Sequence, residues 1–257
     1  MIVDVLRHAN AEALAEDAAA RTITTLVGRV VDAGEAHLCL TGGGIGTAVL
    51  AAIGRSPSVD AVDWTRVHVW WGDERFLPAG DEERNDTGAW SALLDGIAIP
   101  RENVHSMPTP VECHDDVDAG AALYADILQQ HASRDGDPAV PSMDILMLGI
   151  GPDAHVASLF PEHPAVHDQR TVVGVHGSPK PPPLRISLTF RSIQAAQQVW
   201  VLASGAEKAE AVRLALTPQA GEFQVPAAGA RGLQRTLFMI DEAAASALPG
   251  DFGRPSA

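Results

Sequence analysis

Short, largely apolar runs alternate along the chain with longer stretches whose apolar residues recur at helical spacing. The runs at 3–6, 36–40, 67–71, 144–148, 184–188, 198–203 and 236–240 are rich in β-branched and aliphatic residues and show no strict apolar–polar alternation. They predict strands buried on both faces, and 171–175 is a further candidate. Helical spacing marks 11–31, 47–53, 87–94, 117–130, 206–216 and 242–247, with Asn10 placed to cap the first. The Gly-, Pro- and Ala-rich stretches 134–141 and 218–231 predict loops, the second a candidate for mobility, and the tail from about 249 is expected to fray. No internal repeat is visible. Repeated strand–loop–helix units predict an α/β fold: a three-layer, doubly wound, mostly parallel sheet with helices on both faces, residues 1–257 forming a single domain.

Composition narrows the function classes. A formal charge of −15 argues against a nucleic-acid partner, because phosphate backbones need basic patches. It does not argue against a small phosphorylated ligand, which a few local cations and backbone amides can hold. No apolar run is long enough to cross a bilayer, and the N-terminus lacks the basic-then-apolar pattern of a signal peptide. Cys39 and Cys113 lie far apart and predict no disulfide framework. These features together point to the cytoplasm.

Ligands of open α/β sheets bind at the carboxyl ends of the strands, and three strand ends carry unusual loops. Thr41-Gly42-Gly43-Gly44-Ile45-Gly46 offers backbone N–H groups and a helix N-terminus to an anion, or equally a tight turn; it lacks the Gly-Lys-Ser/Thr ending of a nucleotide loop. Gly72-Asp73-Glu74-Arg75 sets a guanidinium able to grip phosphate beside two carboxylates, or forms a surface ion-pair cluster. Gly149-Ile150-Gly151-Pro152-Asp153-Ala154-His155 matches the dinucleotide glycine spacing only formally, since no acidic residue follows at the next strand. It also brings a histidine and a carboxylate to a strand tip, the makings of a general base or of a helix cap. Before another strand, Ser178-Pro179-Lys180-Pro181-Pro182-Pro183 presents a lysine on a rigid segment.

Other candidates read as structure. His163 and His167 have Pro164 between them and no zinc-type spacing. Ser158 lacks a nucleophile elbow, and Trp70 and Trp71 read as core aromatics.

The stretch 144–161, with Gly149, Gly151, Asp153, His155 and Ala157-Ser158-Leu159-Phe160-Pro161, resembles the signature of the 6-phosphogluconolactonase family. The Asp73-Glu74-Arg75 segment with Asn85 downstream, Lys180-Pro181-Pro182 before Arg185, the Thr41 glycine loop, and 199–208 with Gly205 and Lys208 are also similar to that family. Two positions depart from it. Gly44-Ile45-Gly46 replaces a Ser-Thr-Pro, so an anion grip there must rely on backbone amides. Ala154 replaces a glycine, which predicts a negative φ at that position. Glucosamine-6-phosphate deaminase, which shares the fold, has an Asn-Glu that is absent after His155.

The resemblance implies hydrolysis of 6-phosphogluconolactone in the oxidative pentose phosphate pathway, with a small sugar-phosphate substrate and no metal or organic cofactor. It implies a water activated by His155, with Asp153 or Asp73 orienting the imidazole. Substrate contacts fall to Gly43, Gly44, Arg75, Lys180, Gly151 and Arg185: phosphate at Arg75, Lys180 and the Gly43 and Gly44 amides, the oxyanion near Gly151. A monomer or weak homo-oligomer is expected. An amino-sugar-phosphate deaminase and a non-catalytic sugar-phosphate sensor are the rival functions.

Overall fold

In the computed structural model, which describes residues 2–132, 136–217, 220–249, 252 and 254–255, strands and helices alternate almost throughout. The chain runs β1 (Ile2–His8), α1 (Ala11–Ala33), β2 (Ala36–Leu40), α2 (Gly43–Arg55), β3 (Val67–Trp71), β4 (Asp73–Arg75), α3 (Asn85–Ala92) and α4 (Val117–Gln130). It continues through β5 (Ile145–Gly149), β6 (Val172–Val175), β7 (Arg185–Leu188), α5 (Phe190–Gln194), β8 (Gln198–Ala203), α6 (Ala209–Ala215), α7 (Pro226–Gly229), β9 (Arg235–Asp241) and β10 (Arg254–Pro255). Local chemistry starts the first helix: the Asn10 side chain accepts from Ala13 N at 2.9 Å, and Gly34 closes it with φ 85°.

A seven-stranded sheet in the order β10-β1-β9-β8-β5-β2-β3 forms the centre, and its pairings are all parallel. Its inner strands are buried at successive positions, as at Ala36–Leu40, so both faces are covered. Helix α1 packs on α2 and β9. Trp70, Trp71, Trp200 and Phe238 are fully buried in the core, and Cys39 and Cys113 are buried and unpaired.

A second, three-stranded antiparallel sheet, β4-β7-β6, was not expected from sequence. Gly72 O joins it to the end of β3 by accepting from Leu188 N at 2.8 Å, and α4 packs on β6 and β7. The predicted helix at 242–247 is instead a run of turns. The Asp241 carboxylate takes Ser204 Oγ at 2.6 Å, Gly205 N at 3.2 Å and Ala244 N at 2.7 Å, and these bonds compete with a helical ladder. The stretch 218–231, read as a loop, contains α7, whose Ala227 N donates to Ala154 O at 2.9 Å. Residues 218–219 of it lie outside the described residues, as do 134–135 of the other predicted loop and most of the tail expected to fray. Among the described residues, no helix is long and apolar enough to cross a membrane.

Candidate active site

The connection after β2 leads to β3 on one side, and the one after β5 leads to β8 on the other. The carboxyl ends of β2 and β5 therefore flank a switch point, the usual ligand crevice of an open parallel sheet. A cavity of about 330 Å³ lies there. Thr41 Oγ1 holds its floor by accepting from Gly149 N at 3.1 Å.

One wall is the hairpin after β5. Gly151 N donates to His155 O, and Ala154 N to Gly151 O, both at 2.9 Å. This closure puts Ala154 at φ 64°, opposite to the negative value expected from its Cβ. A left-handed alanine costs about 1–2 kcal/mol; burial of Ala154 and its bond from Ala227 hold it there. The product of the strained turn is a close pair, His155 Nδ1 to Asp153 Oδ1 at 2.5 Å. An ionised carboxylate only accepts, so the proton sits on Nδ1 and Nε2 keeps the basic lone pair. Burial works to raise the Asp153 pKa, but the His155 hydrogen bond and the nearby Lys180 outweigh it and hold the carboxyl well below its usual range. Gly151 is needed because a Cβ there would overlap both His155 Nδ1 and Asp153 Oδ1.

Asp73, the other candidate for orienting His155, lines the cavity but is committed elsewhere. It is buried, and its Oδ2 accepts from Ser158 Oγ at 2.7 Å. The geometry pairs His155 with Asp153.

The opposite wall comes from the small sheet. Arg75 donates to Glu83 O at 3.0 Å and to Asn85 Oδ1. Asn85 is fixed in turn by Asp73 O at 2.8 Å and, through its N–H, by Glu74 Oε1 at 2.7 Å. Glu74 caps the start of α3, since it also takes Asp86 N at 2.9 Å. Burial pushes it up to about 7 against the pull of Arg84 and these N–H groups. Arg185 is buried and donates to the carbonyls of Lys180 at 3.1 Å and Pro181 at 2.9 Å. It thus touches the cavity and shapes the segment that carries Lys180. Lys180 does not sit apart from the histidine: its Nζ is 3.3 Å from both Asp153 Oδ1 and His155 Nδ1.

Gly43 begins α2 at φ 77° and lines the cavity; Gly44, one residue further along the helix, does not. Three lining residues with polar side chains were absent from the sequence-derived site: Thr41, Asn85 and Lys208. Lys208 carried a signal. The chain has only two lysines, Lys180 and Lys208, and both line this cavity. With Arg75 and Arg185 they gather positive charge around one crevice of a chain whose net charge is −15. Such a site suits an anionic ligand, with an imidazole able to move a proton at one side.

Known proteins share this arrangement's sequence and fold. The chain is 54% identical over 251 residues to a 6-phosphogluconolactonase of Streptomyces coelicolor, covering 97% of this chain and 96% of that one. It is 45% identical over 235 residues to a 6-phosphogluconolactonase of Mycobacterium tuberculosis, covering 90% and 93%. The crystal structure of 6-phosphogluconolactonase from Leishmania guyanensis superposes with a TM-score of 0.81 at 26% identity, covering 97% of this chain and all of that one. The family model for glucosamine-6-phosphate isomerases/6-phosphogluconolactonase matches residues 9–239, and the chain belongs to that family.

Proposed function

We propose that this chain hydrolyses the ring ester of 6-phosphogluconolactone to 6-phosphogluconate. The observation that carries the proposal is one strand-end cavity lined by the His155–Asp153 pair's imidazole and by Arg75, Lys180, Arg185 and Lys208. Arg75, the two lysines and the Gly43 amide supply charge and donors for the phosphate. Holding that remote group fixes the lactone carbonyl near the imidazole. His155 Nε2 takes a proton from water as its oxygen bonds to C1. Donors facing the carbonyl stabilise the oxyanion; the Gly151 N–H expected for that role is already given to His155 O. The C1–ring oxygen bond then breaks, and the imidazolium returns its proton to the departing oxygen. Asp153 keeps the imidazole in the required tautomer and stabilises its charged form.

The test is a rapid lactonase assay on freshly generated substrate, with spontaneous ring opening measured in a blank. His155→Ala is expected to lose about 10²–10⁴-fold in turnover, the usual contribution of a general base, and to keep affinity for 6-phosphogluconate. Unchanged turnover in that variant, or ammonia release from an amino-sugar phosphate by the wild type, overturns the assignment. We place the enzyme in the cytoplasm as a monomer or weak homo-oligomer. Its net charge of −15 speaks against a nucleic-acid partner.

A further inference from the structure

At the other end of the sheet, three histidines remote in sequence meet. His68 is the second residue of β3, His105 follows a short turn whose N–H bonds Val69 O at 2.9 Å, and His131 caps the end of α4. Among the described residues, these three form the one group of His, Cys, Asp or Glu side chains with ligand atoms all within 4.8 Å. None belongs to the cavity of His155. From His68 to Asp73 is five residues along the chain, roughly 16 Å at strand rise.

Neighbours orient the rings toward a common point. His131 Nδ1 lies 3.2 Å from Ile127 O. A carbonyl only accepts, so Nδ1 carries the proton and Nε2 keeps its lone pair. That is the outer contact metal-binding imidazoles usually make. Trp70 stacks on His105 with centroids 3.9 Å apart and planes within 15°. Trp70 also sorts the fourth histidine: its indole N–H donates to His37 Nδ1 at 3.1 Å, so His37 carries its proton on Nε2, toward Glu35, and is not a ligand. His68 Nδ1 and His105 Nε2 stand 3.0 Å apart with ring planes within 9°. Two neutral rings share one proton at that contact. An ion that replaces it needs the nitrogens about 3.4 Å apart for tetrahedral bonds of about 2.0–2.1 Å, a spread of a few tenths of an ångström. His68 and His131 are partly exposed, so an ion has access.

We propose that His68 Nδ1, His105 Nε2 and His131 Nε2 form a binding site for a divalent transition ion of the zinc class, completed by water and separate from the active site. Three imidazole donors select Zn²⁺, Cu²⁺, Ni²⁺ or Co²⁺ over Mg²⁺ and Ca²⁺, which take oxygen. Binding shifts the proton shared by His68 and His105 to the far nitrogen of the ring that donated it, so both imidazoles ligate in the neutral form. The ion ties the end of α4 to β3, reinforcing the bonds Tyr124 already makes to Trp71 N at 3.1 Å and His105 O at 3.2 Å. Its role is a structural clamp, so it stabilises the folded chain by mass action.

The test uses the full, untagged chain stripped with EDTA and titrated with Co²⁺ and, separately, Zn²⁺. The wild type is expected to bind one equivalent of Co²⁺ with visible ligand-field absorption and to melt at a higher temperature with either ion. His155→Gln should behave identically, which excludes the His155–Asp153 pair as the site. His131→Gln and His68→Gln should each weaken Co²⁺ binding by more than about tenfold and lose the ion-dependent melting shift. His131→Gln should keep wild-type lactonase activity in EDTA. Each shift is read against the same variant in EDTA, so a change in basal stability does not obscure it. The proposal falls if the wild type binds neither ion at submillimolar concentration, if either histidine variant retains wild-type binding, or if His155→Gln abolishes it.

Discussion

His155 Nδ1 lies 2.5 Å from the Asp153 carboxylate, two residues earlier on the same hairpin. A pair so close in sequence is set by the geometry of its own turn, which the Ala227 N–H of α7 helps to hold through Ala154 O. The arrangement predicts that Asp153→Asn frees the imidazole to adopt the wrong tautomer. Turnover at neutral pH should fall, by up to the about 10²–10⁴-fold of a general base, with KM little changed. The Asp153 pKa is depressed from 3.8. Any stability the pair contributes is therefore present above that pH and lost as pH falls further. Urea unfolding of wild type and variant should converge in acid. Equal turnover across pH 5–8 (conditions in which wild-type Asp153 is ionised) would remove Asp153 from the mechanism.

Gly151→Ala tests the same pair from the other side. The new Cβ would overlap His155 Nδ1 and Asp153 Oδ1, so the two must separate. Overpacking of this kind costs about 1–3 kcal/mol, within reach of a folded protein. The expected outcome is a folded variant by circular dichroism whose turnover drops as far as that of Asp153→Asn. Wild-type turnover would show that the close pair is dispensable.

Both lysines of the chain line the cavity, which makes amine labelling a site-specific probe. Bound 6-phosphogluconate should slow the modification of Lys180 and Lys208 several-fold while leaving the α-amino group unaffected, as read by peptide mass spectrometry. Arg75→Ala should weaken that protection, because it removes the guanidinium on the facing wall. Labelling of Lys208 that ignores the ligand would place it outside the phosphate contacts.

The large sheet is legible in the sequence for a physical reason. Full burial makes β2, β3, β5 and β8 largely apolar runs, and nothing competes with that signal. Strand β4 is illegible because all three of its residues are charged. It forms only because β7 offers a ladder and because Ser158 and the N–H groups of α3 satisfy Asp73 and Glu74. The site divides the same way. His155, Arg75 and Lys180 stand out in the sequence as titratable or charged residues beside apolar strand runs, whereas Asn85 matters through contacts made across the fold. The choice between Asp153 and Asp73 depended on Ser158, which no spacing reveals. Ala154 misled because steric preference favours negative φ, while the hairpin's own hydrogen bonds impose the opposite sign.

Glu74 should make stability depend on pH in a sense unusual for a carboxylate. Burial raises it from 4.5 to about 7, so the folded state holds its proton more tightly than the unfolded state. Its contribution is fully present below 4.5 and is lost as pH rises toward 7. At about 1.4 kcal/mol per unit the loss amounts to roughly 3 kcal/mol. Glu74→Gln fixes the neutral form, and its carbonyl can still accept from Arg75 N and Asn85 N, which Glu74 Oε1 holds at 2.8 and 2.7 Å. The amide cannot accept from Asp86 N as Oε2 does at 2.9 Å, so the variant starts with a constant penalty. What matters is the difference between the two proteins. Measured by urea unfolding, wild-type stability minus variant stability should fall as pH rises from 4.5 to 7, and a difference that stays flat would mean the carboxylate is ionised throughout, held by Arg84 and the α3 amides.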